Sequence, residues 1–295
     1  VNGWVVPLLA AVICYGLAQG VYKQALLSAG QFCLLFVATK TVVSWGAWAA
    51  SDRRPFRDPG ARSFLRWSLI GQVVNGVGWI FYFVALGRGP AALVGTITAA
   101  YTAVTATLAM VFLRERLARA QAIGVALVVV AGMILGHGGG GDAAGGASAG
   151  WLAASLCAMA FWGTAVCLFK HAYNQPGADD HRFFVINWAG ALVTLLPFGL
   201  YDARGARWEA GTTALGAVIA LLYSLGDLGL FAALRRGPAS VVSPLSGLYP
   251  ILTIAYAALV LHEALDAPAW AAVALVLVGA TLVVRRTPVL LEEQR

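Results

Sequence analysis

Asp227 stands well inside a long apolar run (211–234), one helical turn after Tyr223, and is the acidic residue placed nearest the middle of any such run. A carboxylate at that depth in a membrane span costs about 2.5–3.5 kcal/mol on insertion scales, so a partner or a role must compensate. Two chemistries fit. It can hold the ammonium group of a bound solute, or it can take up and release a proton. The structural alternatives are a buried ion pair with Lys40, which sits inside another apolar run (31–50), and a carboxyl group that reaches water. Lys40 itself reads as a structural or gating partner, and its counterpart at a spacing of 147 is Asn187.

Polar and aromatic residues form stripes in the neighbouring runs. Tyr15, Gln19 and Tyr22 recur at helical spacing, as do Gln72, Asn75, Trp79 and Tyr82. Thr98, Tyr101 and Thr105 form a third set, and Ser246, Tyr249, Thr253 and Tyr256 a fourth. Each set shares one helix face. In lipid such a face must turn to protein or to a water-filled cavity; the plainer use is hydrogen bonding between helices. Trp79, Tyr82, Tyr101, Trp162, Tyr223 and Tyr249 could form a cage. Aromatic faces attract cations and stack on aromatic solutes. The candidate binding set is therefore Tyr15, Gln19, Gln72, Asn75, Trp79, Tyr82, Tyr101, Trp162, Tyr223, Asp227 and Tyr249.

Long apolar elements must position these residues. The chain is 60% hydrophobic and 11% charged, with a mean hydropathy of +0.78, whereas soluble domains carry about 25% charged residues. Ten runs can cross a ~30 Å hydrocarbon layer: 4–24, 31–50, 64–86, 91–113, 119–137, 150–171, 182–201, 211–234, 239–261 and 268–285. They lack two-residue alternation, so an all-α membrane fold is expected. Net charge +7 could suggest nucleic acid, but the arginines lie in short loops, where they set topology. With the N-terminus inside, fifteen Lys and Arg fall in inner loops and four (Lys23, Arg88, Arg204, Arg207) in outer ones. Both termini are then cytoplasmic. No basic leader precedes Trp4, so the first run is expected to serve as its own insertion signal. Trp4, Trp67, Trp151 and Trp208 read as interfacial anchors, and Cys14, Cys33, Cys157 and Cys167 as small buried hydrophobes.

The segment ALGRGPAALV from Ala85 returns as ALRRGPASVV from Ala233, with seven of ten residues identical. The spacing of 148 continues through Tyr101/Tyr249, Glu115/Glu263 and Leu117/Leu265. A spacing of 147 pairs Trp4/Trp151, Gly16/Gly163, Lys23/Lys170 and Phe36/Phe183. The chain thus divides into a first five-helix unit (1–137), a Gly-rich linker (138–149), a second unit (150–285) and a tail (286–295). Five is odd, so the second unit enters the membrane from the opposite side and the repeats are inverted. Pro90 and Pro238 open the fourth and ninth runs, where a missing N–H costs nothing. Glu115, Glu263, Lys23, Lys170 and Lys40 read as gating or structural residues, with snorkelling the plainer account of the two repeat-related lysines.

Ten spans in two fives, a Gly-Pro turn before the fourth and ninth, and a Glu-x-Leu closing each resemble the drug/metabolite transporter superfamily, in its ten-helix EamA-type branch. The resemblance implies a central cavity lined by runs 1, 3, 4, 6, 8 and 9, and alternating access between inverted repeats. YddG-type exporters of aromatic amino acids are the nearest comparison, on architecture and aromatic content. Export of amino acids or aromatic metabolites across the inner membrane is the expected activity. Uptake of an organic cation such as choline is the alternative, and a non-transporting membrane scaffold the reading from another class. No HExxH, GxSxG, Walker A or metal-ligand spacing occurs in the sequence, so neither an enzyme nor a cofactor is expected. The expected partners are a small-molecule substrate and the bilayer. Proton coupling and a homodimer stay open.

Overall fold

Apolar runs rich in Ala, Leu and Gly fold as helices, and no strand occurs among the described residues. The computed structural model describes residues 3–50, 58–88, 91–114, 150–249 and 267–284, with scattered positions between 119 and 134 and residue 252. Pro90, Glu115, Thr253, Tyr256, Glu263, the linker, the tail and the side chain of Lys23 lie outside the described residues, as does most of the expected fifth run.

The helices are α1 (Val5–Tyr22), α2 (Ala29–Ala49), α3 (Arg62–Arg88), α4 (Ala91–Ala99) and α5 (Tyr101–Phe112), then α6 (Gly150–Tyr173), α7 (Asp180–Asp202), α8 (Ala210–Arg236), α9 (Ala239–Ser246) and α10 (Ala267–Val284). Six of them (α1, α2, α3, α6, α7 and α8) are long and apolar enough to cross a membrane. Their outer faces expose Val6, Leu9, Val42 and Val193, a surface suited to lipid. Local chemistry sets the ends. Ser28 and Gln31 form a capping box at the start of α2, and the Asp179 carboxylate accepts the Arg182 N–H to start α7.

The expected run 91–113 is not one continuous helix. It breaks at Ala100, where the N–H groups of Ala100 and Ala103 bond three residues back, to Ile97 and Ala100. Thr98 donates to the Val94 carbonyl at 2.7 Å and Thr102 to that of Ala99 at 3.1 Å. Such back-bonding by threonine bends helices. The second copy breaks at the same register: α9 ends at Ser246, and Leu248 bonds back to the Leu245 carbonyl at 3.2 Å.

Packing follows the sequence spacing. α3 packs on α6, and α1 on α8; α2 packs on α7. Gly16 and Gly163, 147 apart, are both points of close approach. A Cβ on Gly16 would stand 2.5 Å from that of Leu252 and 2.9 Å from the Tyr249 carbonyl. On Gly163 it would stand 2.5 Å from that of Val104 and 3.0 Å from the Tyr101 carbonyl. Small residues let membrane helices approach this closely.

Contacts also fix the two ends of the bundle. At one, the Gly30 N–H donates to Asp202 at 2.7 Å, and Gln31 donates to the Arg207 carbonyl at 2.8 Å. At the other, Arg235 donates to Asp180 at 2.9 Å, and Arg182 reaches Asp58 at 3.4 Å. Gly3 lies at this second end, beside Arg236. Trp4, expected as an interfacial anchor, is buried there, and its ring packs against Gly237.

Candidate functional site

The stripes converge. A cavity of about 60 Å³ between α1, α3, α5, α6 and α8 is lined by Tyr15, Gln19, Asn75, Trp79, Tyr82, Tyr101, Trp162, Tyr223, Asp227 and Tyr249. That volume holds about four waters. Gln72 is the one residue of the sequence-derived set that does not line it: it is buried on the neighbouring face of α3, where Gly190 of α7 packs against it. Four lining residues were missed, namely Val166, Phe169, Leu230 and Phe231. Their signal was helical spacing alone. Val166 and Phe169 lie four and seven positions after Trp162, and Leu230 and Phe231 lie three and four after Asp227.

Asp227 supplies the cavity's only charge among the lining residues. The Tyr15 hydroxyl donates to its Oδ1 at 2.7 Å, and Lys40 Nζ donates to its Oδ2. Lys40 itself is not a lining residue. Its Nζ also donates to Asn187 Oδ1 at 3.1 Å and lies 4.3 Å from the centre of the Phe36 ring. The side chains of both members of the pair are at most 4% exposed. Asp227 thus lines the cavity and is ion-paired with Lys40. The carboxylate faces the cavity and is held by a lysine. Lys40 and Asn187, counterparts at a spacing of 147, touch each other, as do Thr41 and Trp188 at 2.9 Å.

The walls are aromatic. Trp79 packs at 4.7 Å from Trp162 and 5.1 Å from Tyr223, and Tyr82 lies 4.9 Å from Trp162. Tyr101 hydrogen-bonds Ser246 at 2.7 Å; at a spacing of 148 their counterparts are Tyr249, which also lines the cavity, and Thr98, which is buried. The indole N–H groups of Trp79 and Trp162 and Oε1 of Gln19 are buried with no partner among the described residues. Each buried polar group left unsatisfied costs about 1–3 kcal/mol, so these donors and this acceptor are available to a bound molecule.

Aromatic clusters flank the cavity toward both ends of the bundle. Toward the Gly30 end, Phe83 packs 4.7 Å from Phe32 and 5.9 Å from Tyr22. Toward the Asp180 end, Phe231 packs 5.2 Å from Phe169 and 4.8 Å from Phe183. Beyond the second cluster, Lys170 Nζ donates to the carbonyls of Leu234 at 3.1 Å and Gly237 at 2.8 Å, capping the end of α8. Among the described residues no group of His, Cys, Asp and Glu is placed to hold a metal ion.

The cavity is mainly apolar and aromatic, carries one carboxylate and lies between helices of which α1, α3, α6 and α8 are long enough to cross a membrane. The chain matches the EamA-like transporter family over residues 2–136 and again over 149–285, and it belongs to that family. Its six long apolar helices are those of a multi-pass membrane protein of that family. Over 95 residues it is 32% identical to an uncharacterized transporter of Archaeoglobus fulgidus, covering 30% of this chain and 34% of that one. Over 65 residues it is 38% identical to an uncharacterized protein of Methanocaldococcus jannaschii, covering 22% and 47%. These matches span between a third and a half of those relatives' lengths. A solved crystal structure superposes with a TM-score of 0.74 at 19% identity, covering 99% of this chain and 98% of that one, and it shares the fold.

Proposed function

We propose that the protein is a secondary transporter that exports amino acids or aromatic metabolites across an inner membrane by alternating access around the Asp227 cavity. The observation that carries this is the cavity itself, with one carboxylate, unpartnered indole donors and aromatic walls. An amino acid offers a group for each: its ammonium to Asp227, its carboxylate to the Trp79 and Trp162 N–H groups, its side chain to the rings. Ten spans in two inverted units (1–137 and 150–285) are the architecture proposed for this. Its support is the double family match and the recurrence of contacts at spacings of 147 and 148. Helix breaks at Ala100 and Leu248 fit the interrupted helices that transporters place at their binding sites. The Asp180 end, which holds the N-terminus of α1, is then cytoplasmic. Aromatic clusters on both sides of the cavity fit a state closed to each compartment, with the Asp180 ion pairs and Lys170 acting as an inner gate.

A second reading is uptake of an organic cation such as choline. The absence of any Lys or Arg from the cavity lining among the described residues favours it, because aromatic faces and one carboxylate attract cations and repel anions. Flux into liposomes, measured across a panel of amino acids, aromatic amines and choline, tests both. Saturable amino-acid flux supports export, and saturable flux of choline alone supports the second reading. Absence of saturable flux for the whole panel overturns both.

A further inference from the structure

We infer that a net-cationic solute is exchanged at this site for the proton of Lys40, so that Lys40 is the coupling residue. The inference rests on the reading that the cavity binds a positively charged nitrogen at Asp227. As built, the site is neutral: one carboxylate faces one ammonium, and both are buried. Lys40 bonds Asp227 Oδ2 without lining the cavity, while Asp227 lines it, so lysine and solute would share the same carboxylate. A cation binding at Asp227 would leave two positive charges on one negative charge in a buried site. A buried charge left uncompensated is strongly unfavourable. Neutrality returns when the Lys40 ammonium releases a proton, leaving an amine that Asn187 still accommodates through its side-chain amide. The charges balance. Ammonium and carboxylate with an arriving cation become neutral amine, carboxylate and bound cation, and one proton passes to water.

The surroundings make Lys40 the group that yields. Asp227 is the one charged residue that bonds it, and the other contacts described for its Nζ are the neutral Asn187 amide and the Phe36 ring. The titratable neighbours are the phenols of Tyr15, which donates to Asp227 from α1, and Tyr223, which packs on Phe36 from α8. Both are neutral donors at physiological pH and have no positive charge to surrender. Asp227 accepts from both Lys40 and Tyr15 and is the acceptor that an arriving cation would share with Lys40.

The test uses the full chain purified in detergent, with choline as a cation that does not titrate and 3,3-dimethyl-1-butanol as its uncharged analogue. Calorimetric titration in two buffers of different ionisation heat counts the protons. The expected result is about one proton released per choline bound, with affinity rising about tenfold per pH unit while Lys40 is charged. The uncharged analogue releases none. Lys40→Arg, whose guanidinium does not deprotonate, binds choline more weakly and without proton release; Asp227→Asn loses choline binding. Choline binding without proton release in the wild-type protein overturns the inference and leaves the binding reading intact. Undiminished proton release in Lys40→Arg moves the coupling away from Lys40 and also overturns it. Absence of choline binding overturns the cation reading and the inference with it. The wild-type proton count needs no variant, so a Lys40→Arg protein that fails to fold does not spare the inference.

Discussion

Removing Lys40 while leaving Asp227 should damage the protein more than removing both. Lys40→Met deletes the charge that faces Asp227 Oδ2 and the donor to Asn187. The carboxylate then keeps only the Tyr15 hydroxyl, at 2.7 Å, in a site whose side chains are at most 4% exposed. Breaking a buried pair from one side costs about 3–5 kcal/mol, because the surviving charge is left uncompensated. At about 2 °C per kcal/mol for a chain of this size, the unfolding midpoint falls by about 6–10 °C. In Lys40→Met/Asp227→Leu no charge remains. The lost partner of Asn187 is common to both variants, and the double variant exchanges the uncompensated charge, about 3–5 kcal/mol, for the lost partner of Tyr15, about 1–3 kcal/mol. The double variant should therefore melt several degrees above Lys40→Met. Tryptophan fluorescence of detergent-solubilised protein, followed at one fixed heating rate, measures all three. A double variant that melts as low as Lys40→Met, or a single variant that melts with the wild type, refutes the buried-charge argument.

Tyr15→Phe removes one hydrogen bond to a carboxylate and should cost about 1.5–3 kcal/mol in the same melting assay, less than Lys40→Met. Gly163→Ala forces a Cβ to 2.5 Å from Val104 and should destabilise by about 1–3 kcal/mol. Gly46→Ala meets nothing within 4 Å and should match or slightly exceed the wild-type midpoint; equal losses for the two would remove close helix contact as the cause. Asp180→Asn severs the pairs to Arg235 and Arg236, whose side chains are 39% and 45% exposed, so stability should change by no more than about 1 kcal/mol. The same variant should speed labelling of a cysteine introduced at Phe169, read by mass spectrometry, if those pairs help close that end.

The sequence made the cavity legible because charged and polar residues are scarce inside the apolar runs and share helical faces with Tyr and Trp. Tyr15, Trp79 and Asp227 stand out against Leu, Ala and Val, and helical spacing puts each on a definite face. Val166, Phe169, Leu230 and Phe231 carry no such contrast, and only the extension of each stripe by another turn points to them. Gln72 shows the reverse failure: it shares a stripe with Asn75, yet that stripe is wide enough to face the cavity on one edge and α7 on the other. The pairing of Lys40 with Asp227 was one of several alternatives, since sequence gives the depth of a charge and not its azimuth. That Asp227 meets Lys40 while lining the cavity depends on how α2 packs against α8. The break at Ala100 was hidden because threonine back-bonding is decided by neighbouring geometry and leaves hydropathy unchanged.

The central claim is that solute passes through the cavity at Asp227. Its most direct measurement is the initial rate of flux into liposomes, for the panel member the wild-type protein carries best, compared between Asp227→Asn and the lipid-facing control Val42→Ser. The account predicts that Asp227→Asn abolishes saturable flux while Val42→Ser retains it. Wild-type flux in a well-folded Asp227→Asn protein would contradict the account.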